Sequence, residues 1–549
     1  MDRRDFLTMG PPRTREAIRG ESHGTIEERG GAQTPPAFAR RSATDLTPYG
    51  GAWTWEQAAH LLRRGMIGPT EAEIRRAVTE GMAATLERLF TPFDPALGPI
   101  AEWAESTQFQ IGPDAAKGED AQTFQMGVQL RREGLINWIN GAIVGSPVSM
   151  QERLRLFWHN HFTTELDVIN FPEIAYEQYR LFARQMLGNF KQFVYDVTVD
   201  MAMLIYLDGV RNYKAGTRSN INENYARELM ELFTMGVFDW DGRENYTQED
   251  VSNAARALSG WNYNVDLANP RGYTYIDRAA IFKPLLWDIG QKTLMGRTGQ
   301  WDAQDVIDII FEERADQIAK FVCEKIYRGF VFDVPDRVVV GEMADLLRAG
   351  DWELRPVFEA LLGSTHFYDE TNIGAMHRSP IDYVVGTARS LELTNIPGVN
   401  APPGGRTTRD LAGRLQSLGQ LPYAPPNVKG WPGGRTWTST STLPVRQKLG
   451  IDVAAGNIVV ARLELYAFDP LAFARQFTDP EDIHLLSDEM ARALLNVEPS
   501  EPERTMLYET LLDGGRDYEW SLEDPEQKPD ERIRKFLGAV AQLAKFQLS

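Results

Sequence analysis

Residues 222–237 read NENYARELMELFTMGV. They set Asn224, Arg227, Glu228 and Glu231 at i, i+3, i+4 and i+7, the spacing that lines side chains along one face of an α-helix. Tyr225, Ala226, Leu229, Met230, Leu232 and Phe233 fill both flanks. A helix at the surface of a globular protein shows a broad polar face. A narrow polar stripe between apolar flanks places its carboxylates partly out of water, where each needs a cation, a metal or a proton. Two readings follow. Arg227 and other bases neutralise the acids as a buried ion network, or the acids do chemistry.

The helical period continues on both sides of this stretch. WTWEQAAHLLRRG opens with Thr54 as N-cap and Glu56 in the first turn. GPTEAEIRRAVTEGMAATLERLF holds a Thr70–Glu73 capping box, and Gly81 is expected to separate one helix from the next. Thr247 and Asp250 start another helix in the same manner. Alternating patterns are scarce, and RGYTYIDRAAIF is the best hairpin candidate. Segment 101–123 reads as a surface loop, and 396–442 as a long irregular stretch rich in glycine and proline. The pattern predicts a mainly α fold: one large helical body over 50–549, with few short strands and long Gly/Pro/Trp-rich loops. An acidic helical region is expected from about 468, and a disordered arm over 1–49.

Composition narrows the function. A formal charge of −19 argues against nucleic acid, which needs a basic footprint. The single cysteine, Cys323, lies in the apolar run IAKFVCEKIY and reads as a buried thiol. No run approaches the roughly 18 apolar residues of a transmembrane helix. MDRRDFLTMG carries a twin-arginine-like pair, Arg3 and Arg4, but PPRTREAIRGESHG follows where an export signal has its apolar segment.

Two further constellations carry chemistry. In LFWHNHFTTEL a helix turns His159 and His161 about 200° apart, so they cannot share a ligand. Either one is buried and hydrogen-bonded while the other faces solvent, or His161 serves a site. In APPNVKGWPGGRTWTSTSTL, residues 424–443, prolines and glycines fix an irregular backbone anchored by Trp431 and Trp437. WDIGQKTLMGRTG lacks phosphate-loop spacing.

Taken in order, AHLLRRGMIGPT, RLRLFWHNHFTTE, NENYARELMELFTMGV, YTQEDVSNAARALSGW, FVCEKIYRGFV and PPNVKGWPGGRTW make the chain resemble the bacterial family called domain of unknown function 1800, from about residue 50 onward. The resemblance implies a helical, often twin-arginine-exported and hence periplasmic protein, encoded beside an exported sulfatase-like protein that is a candidate partner. The resemblance implies a His-Asp pair, usual in members, where this chain has Trp287 and Asp288. If the family-typical segments converge, His161, Asn224, Arg227, Glu228 and Glu231 meet Asn427, Trp431 and Arg435 in one pocket. Glu228, Glu231, His161 and Arg227 are then the catalytic candidates. Asn224, Asn427, Trp431 and Arg435 are the substrate-binding ones. His161, Glu228 and Glu231 are the candidate ligands of a divalent metal. Two functions are expected from this. One is an exported enzyme using acid–base or metal-assisted chemistry, and the other is a non-catalytic scaffold working beside the sulfatase-like protein.

Overall fold

The computed structural model describes residues 45–93, 102–106, 108–113, 119–264, 275–392, 406–454 and 468–549. Contacts divide the chain into Met1–Ser42, which lies outside the described residues with the arginine pair and most of the expected arm, and Ala43–Ser549. The arm's last residues, 45–49, are described and ordered, with Tyr49 N donating to Gly363 O at 2.8 Å. Helices make up most of the second unit. Among the described residues its sheets are four antiparallel pairs of three-residue strands.

The expected helix starts form by local hydrogen bonding. Thr54 caps Trp55–Gly65, closing a box with Gln57. Thr70 and Glu73 close one on Glu71–Glu80, and Thr247 and Asp250 close one on Gln248–Ala257. Gly81, at φ 84°, separates Glu71–Glu80 from Met82–Phe90.

Three apolar cores result among the described residues, the smallest gathering Phe109, Ile174, Met201 and Ile276. The first gathers Trp158, Phe162, Phe190, Phe193, Tyr225, Phe233, Cys323 and Tyr327. The second gathers Trp138, Tyr179, Tyr383, Tyr423, Phe536 and Phe546. The loop after Trp55–Gly65 joins them, with Met66 in the first and Ile67 in the second. Among the described residues no helix is long and apolar enough to cross a membrane.

Three expectations are corrected. Tyr275–Asp277 and Ala280–Phe282 do not pair as a hairpin. The first pairs with Gln108–Gln110 and the second with Trp261–Tyr263. Between them Arg278, 8% exposed, is drawn to Ala104 O and Glu177, both at 2.9 Å, which turns the two strands toward different partners. Segment 101–123 is not surface loop throughout, because Glu102–Glu105 is helical and Phe109 is buried against Phe171. The irregular stretch at 396–442 contains the helix Arg406–Ser417, whose Leu411 and Leu415 bury one turn apart.

The opening stretch departs from a uniform α-helix. Asn224–Glu228 is α-helical, and Leu229–Thr234 winds as a π-helix. Thr234 is fully buried. Its hydroxyl donates to Leu229 O, five residues back, at 2.6 Å, a bond that the wider winding makes available. Short π segments of this kind recur at functional sites.

Candidate functional site

The end of the π segment leaves carbonyls without intrahelical donors. Lys325 donates to Leu232 O at 2.7 Å, and its ammonium also lies 3.1 Å from His161 Nδ1. His161 Nε2 lies 3.0 Å from Phe233 O. A carbonyl only accepts, so Nε2 carries the proton and Nδ1 accepts from Lys325. Burial holds the His161 imidazole well below its ordinary range, aided by the Lys325 charge, and pulls Lys325 down to about 7. With one ring nitrogen donating and the other accepting, His161 has no lone pair for a cation. The His161, Glu228, Glu231 ligand set therefore does not fit a divalent metal. Among the described residues no group of three or more His, Cys, Asp or Glu side chains could hold a metal ion.

On the same element Glu228 and Glu231 are half-buried. Burial pushes the Glu228 carboxyl up to about 7, and the adjacent Glu231 adds to this, against the opposing charges of Lys429 and Arg227. Arg227 does not neutralise the pair, because its guanidinium donates to Glu223 at 3.2 Å and Gln248 at 2.9 Å. The buried ion network centred on Arg227 is thus displaced outward. Two phenols complete the surroundings. Tyr246 hydrogen-bonds Glu231 and is pushed up to about 12, by burial first and then by Glu231. Tyr206 is raised by burial and by the charges of Glu165 and Glu228.

The glycine-rich loop is clamped by the residue between the two histidines. Asn160 Oδ1 accepts from Trp431 N at 2.6 Å, and its amide donates to Trp431 O at 3.3 Å. Gly430, at φ 81°, lies so close that a Cβ would fall 2.2 Å from Asn160 Oδ1. This grip sets the loop so that the Lys429 charge acts on Glu228. His159 accepts from Tyr423 N at 3.0 Å and lies tilted against the Tyr423 ring with centroids 4.2 Å apart. Burial lowers its imidazole to about 3. Both histidines of the pair are therefore buried, and neither takes the solvent-facing place expected for one of them.

The expected pocket assembles only partially. Glu228, Glu231 and Arg227 lie on one segment with Lys429 beside them. Asn224 is exposed and donates to Asp208 at 3.4 Å. Asn427 is exposed and accepts from Lys429 N at 2.9 Å, holding the loop's own turn. Trp431 is 5% exposed and turns its ring onto His159, 5.4 Å away. Arg435 is exposed and acts on His377 together with Asp333. Sequence reasoning does not assign Tyr206, Tyr246, Lys325 or Lys429 to the site. Lys429, Lys325 and Tyr246 lie within quoted stretches, but no spacing there ties them to the polar stripe.

Asp288, beside Trp287, is fully engaged. Although burial raises its carboxyl, Arg256 at 2.8 Å, Gly290 N at 2.8 Å and Lys214 at 3.3 Å bring it down to about 2.

A family model described as "Protein of unknown function (DUF1800)" matches residues 60–548. No curated protein and no solved structure matches the chain.

Proposed function

Because the chain belongs to the DUF1800 family, whose description names no reaction, we propose from its side chains that it is an enzyme of acid–base chemistry centred on Glu228. One observation carries this reading. Glu228 is half-buried beside a second carboxylate, without a neutralising guanidinium, and its carboxyl lies near neutrality. Such a group holds a proton for a substantial share of the time at pH 7 and gives it up readily, as a general acid or base must. Glu231, hydrogen-bonded by Tyr246, is the partner carboxylate. Lys429 orients an anionic or strongly polar substrate group, and the exposed Asn224 and Asn427 offer amides at the rim. His161 and Lys325 act as positioning residues that fix the end of the π segment. The thirteen tryptophans are compatible with a saccharide or other polymer substrate through stacking. The Arg3–Arg4 pair and the family resemblance support export to the periplasm.

The test begins with pH. Glu228 binds its proton more tightly folded than unfolded, where its ordinary value is 4.5. Its stabilisation is therefore complete below pH 4.5 and is lost as pH rises through about 7. Relative to wild type, Glu228→Gln should gain about 2 kcal/mol between these limits, after a discount for partial exposure. Denaturant titrations at several pH values would measure it. A panel of chromogenic esters and glycosides should then show turnover with a pH profile that changes near neutrality and vanishes in Glu228→Gln. Turnover indifferent to both Glu228→Gln and Glu231→Gln would defeat the reading.

A second reading is a scaffold for a sulfatase-like exported partner. The closed His161–Lys325 network favours it, since those groups serve the fold. Under that reading Glu228→Gln keeps its partner on co-purification and loses nothing else.

A further inference from the structure

Leu285 and Ile289, 89% and 66% exposed, are the two most exposed aliphatic side chains among the described residues. They lie four residues apart in one stretch, AAIFKPLLWDIGQ, residues 279–291. Ile281, 39% exposed, is a third in that stretch. Side chains alternate along Ala280–Phe282 and the extended Lys283 that follows, so Ile281 and Lys283 share the face opposite Phe282. Phe282 turns instead onto Trp287, edge-on, with ring centroids 6.0 Å apart.

The backbone holds Leu285 and Ile289 outward. Leu286 N donates to Lys283 O at 2.8 Å, which closes the single turn Pro284–Leu286. The Trp287 indole donates to Ala257 O at 3.1 Å, and Lys292 Nζ sits 4.6 Å from its ring centre. Asp288 N donates to Ser259 Oγ at 2.9 Å, while the Asp288 carboxylate accepts from Arg256 and Gly290 N, both at 2.8 Å. Neither aliphatic side chain can turn inward without breaking these bonds, so their exposure to water belongs to the fold. Exposed apolar groups held together in this way mark a surface that meets a partner.

The surroundings are basic, although the chain carries a formal charge of −19. The hairpin of Tyr213–Ala215 with Arg218–Asn220 packs on Pro284–Leu286, and it brings Lys214 and Arg218 without an acid. Residues 279–291 add Lys283 and one acid, Asp288, which is 2% exposed and shared by Lys214 and Arg256.

We propose that this knob seats the protein on an anionic lipid bilayer. Leu285, Ile289 and Ile281 enter the boundary between headgroups and acyl chains, and Lys214, Arg218 and Lys283 meet the lipid phosphates. A protein partner suits the knob less well. A standard interface covers about 800 Å² on each side, more than three aliphatic side chains present, whereas a bilayer takes up a few apolar side chains flanked by cations. The acidic surface elsewhere opposes this weakly, because charges farther than about 8 Å are screened at physiological ionic strength.

Co-sedimentation of the full chain with vesicles tests this, using phosphatidylglycerol mixed equally with phosphatidylcholine, against phosphatidylcholine alone. Binding to the anionic vesicles is expected, and at least tenfold weaker binding to the neutral ones. Leu285→Ser and Ile289→Ser change exposed positions, and their double variant should melt as wild type does. Its partition onto anionic vesicles should fall about tenfold for each side chain removed. Lys283→Gln and Arg218→Gln should each weaken binding about fivefold. No binding to anionic vesicles, equal binding to neutral ones, or binding that the double serine variant retains overturns the proposal. So does self-association of the wild type in solution that the double variant abolishes, which would make the knob a contact between copies of this chain.

Discussion

Alanine at position 430 is expected to cost the fold about 4 kcal/mol and to release the glycine-rich loop from the helix beneath it. Two costs add. The φ of 81° is strained for any residue with a Cβ. That Cβ would also fall 2.2 Å from Asn160 Oδ1, 2.7 Å from Asn160 O and 3.0 Å from Thr163 Oγ1. The side-chain amide can swing away, but the main-chain oxygen cannot. Gly430→Ala should therefore stay destabilising in an Asn160→Ala background, by about 2 kcal/mol, as chemical denaturation would show. Moving the loop carries Lys429 away from Glu228, so the carboxyl should titrate still higher in the variant. A loss under about 1 kcal/mol in the single variant would mean that the loop is not clamped as described.

Gly68→Ala should be equally severe, about 4 kcal/mol, for a different reason. Gly68 lies at φ 61°, and an added Cβ would sit 2.1 Å from Gly386 O and 2.5 Å from Gly386 Cα, both main chain within Pro380–Ser390. Neither atom can retreat without shifting the helix. The contact is reinforced on both sides. Arg389 donates to Gly68 O at 2.7 Å and grips Glu73, and Ser390 donates to Pro69 O at 2.9 Å. Because Met66 and Ile67 belong to different cores, the substitution opens the seam between them. Hydrogen exchange should quicken first in Pro380–Ser390. Unchanged protection there would show that the seam tolerates a methyl group.

How much is legible in the sequence follows from how local each cause is. Thr54, Thr70 and Thr247 bond to groups two or three residues away, so their spacing announces the helix starts. The polar stripe is visible because period and flanking residues are properties of one segment. The π winding is not visible, since α and π differ only in which carbonyl receives a hydrogen bond, and the residue types of one segment do not encode that choice. Tyr206 and Tyr246 approach the stripe from other elements, and nothing in either one's own surroundings marks it. The positive φ at Gly433 and Gly434 turns the chain between Trp431 and Arg435, so two residues four apart in one loop serve different places. Three-residue strands carry too little alternation to reveal their partners, which is why Tyr275–Asp277 and Ala280–Phe282 read as a hairpin when they are not one.

Cys323 offers a use of its own. The thiol sits in the first core with no exposed surface, and burial raises its pKa far above the ordinary thiol range. Thiolate is the species that alkylating reagents attack, so iodoacetamide or a maleimide dye can mark the chain only after the Ala315–Phe330 helix has come away from its neighbours. With no second thiol to compete, the labelling rate counts those openings one molecule at a time.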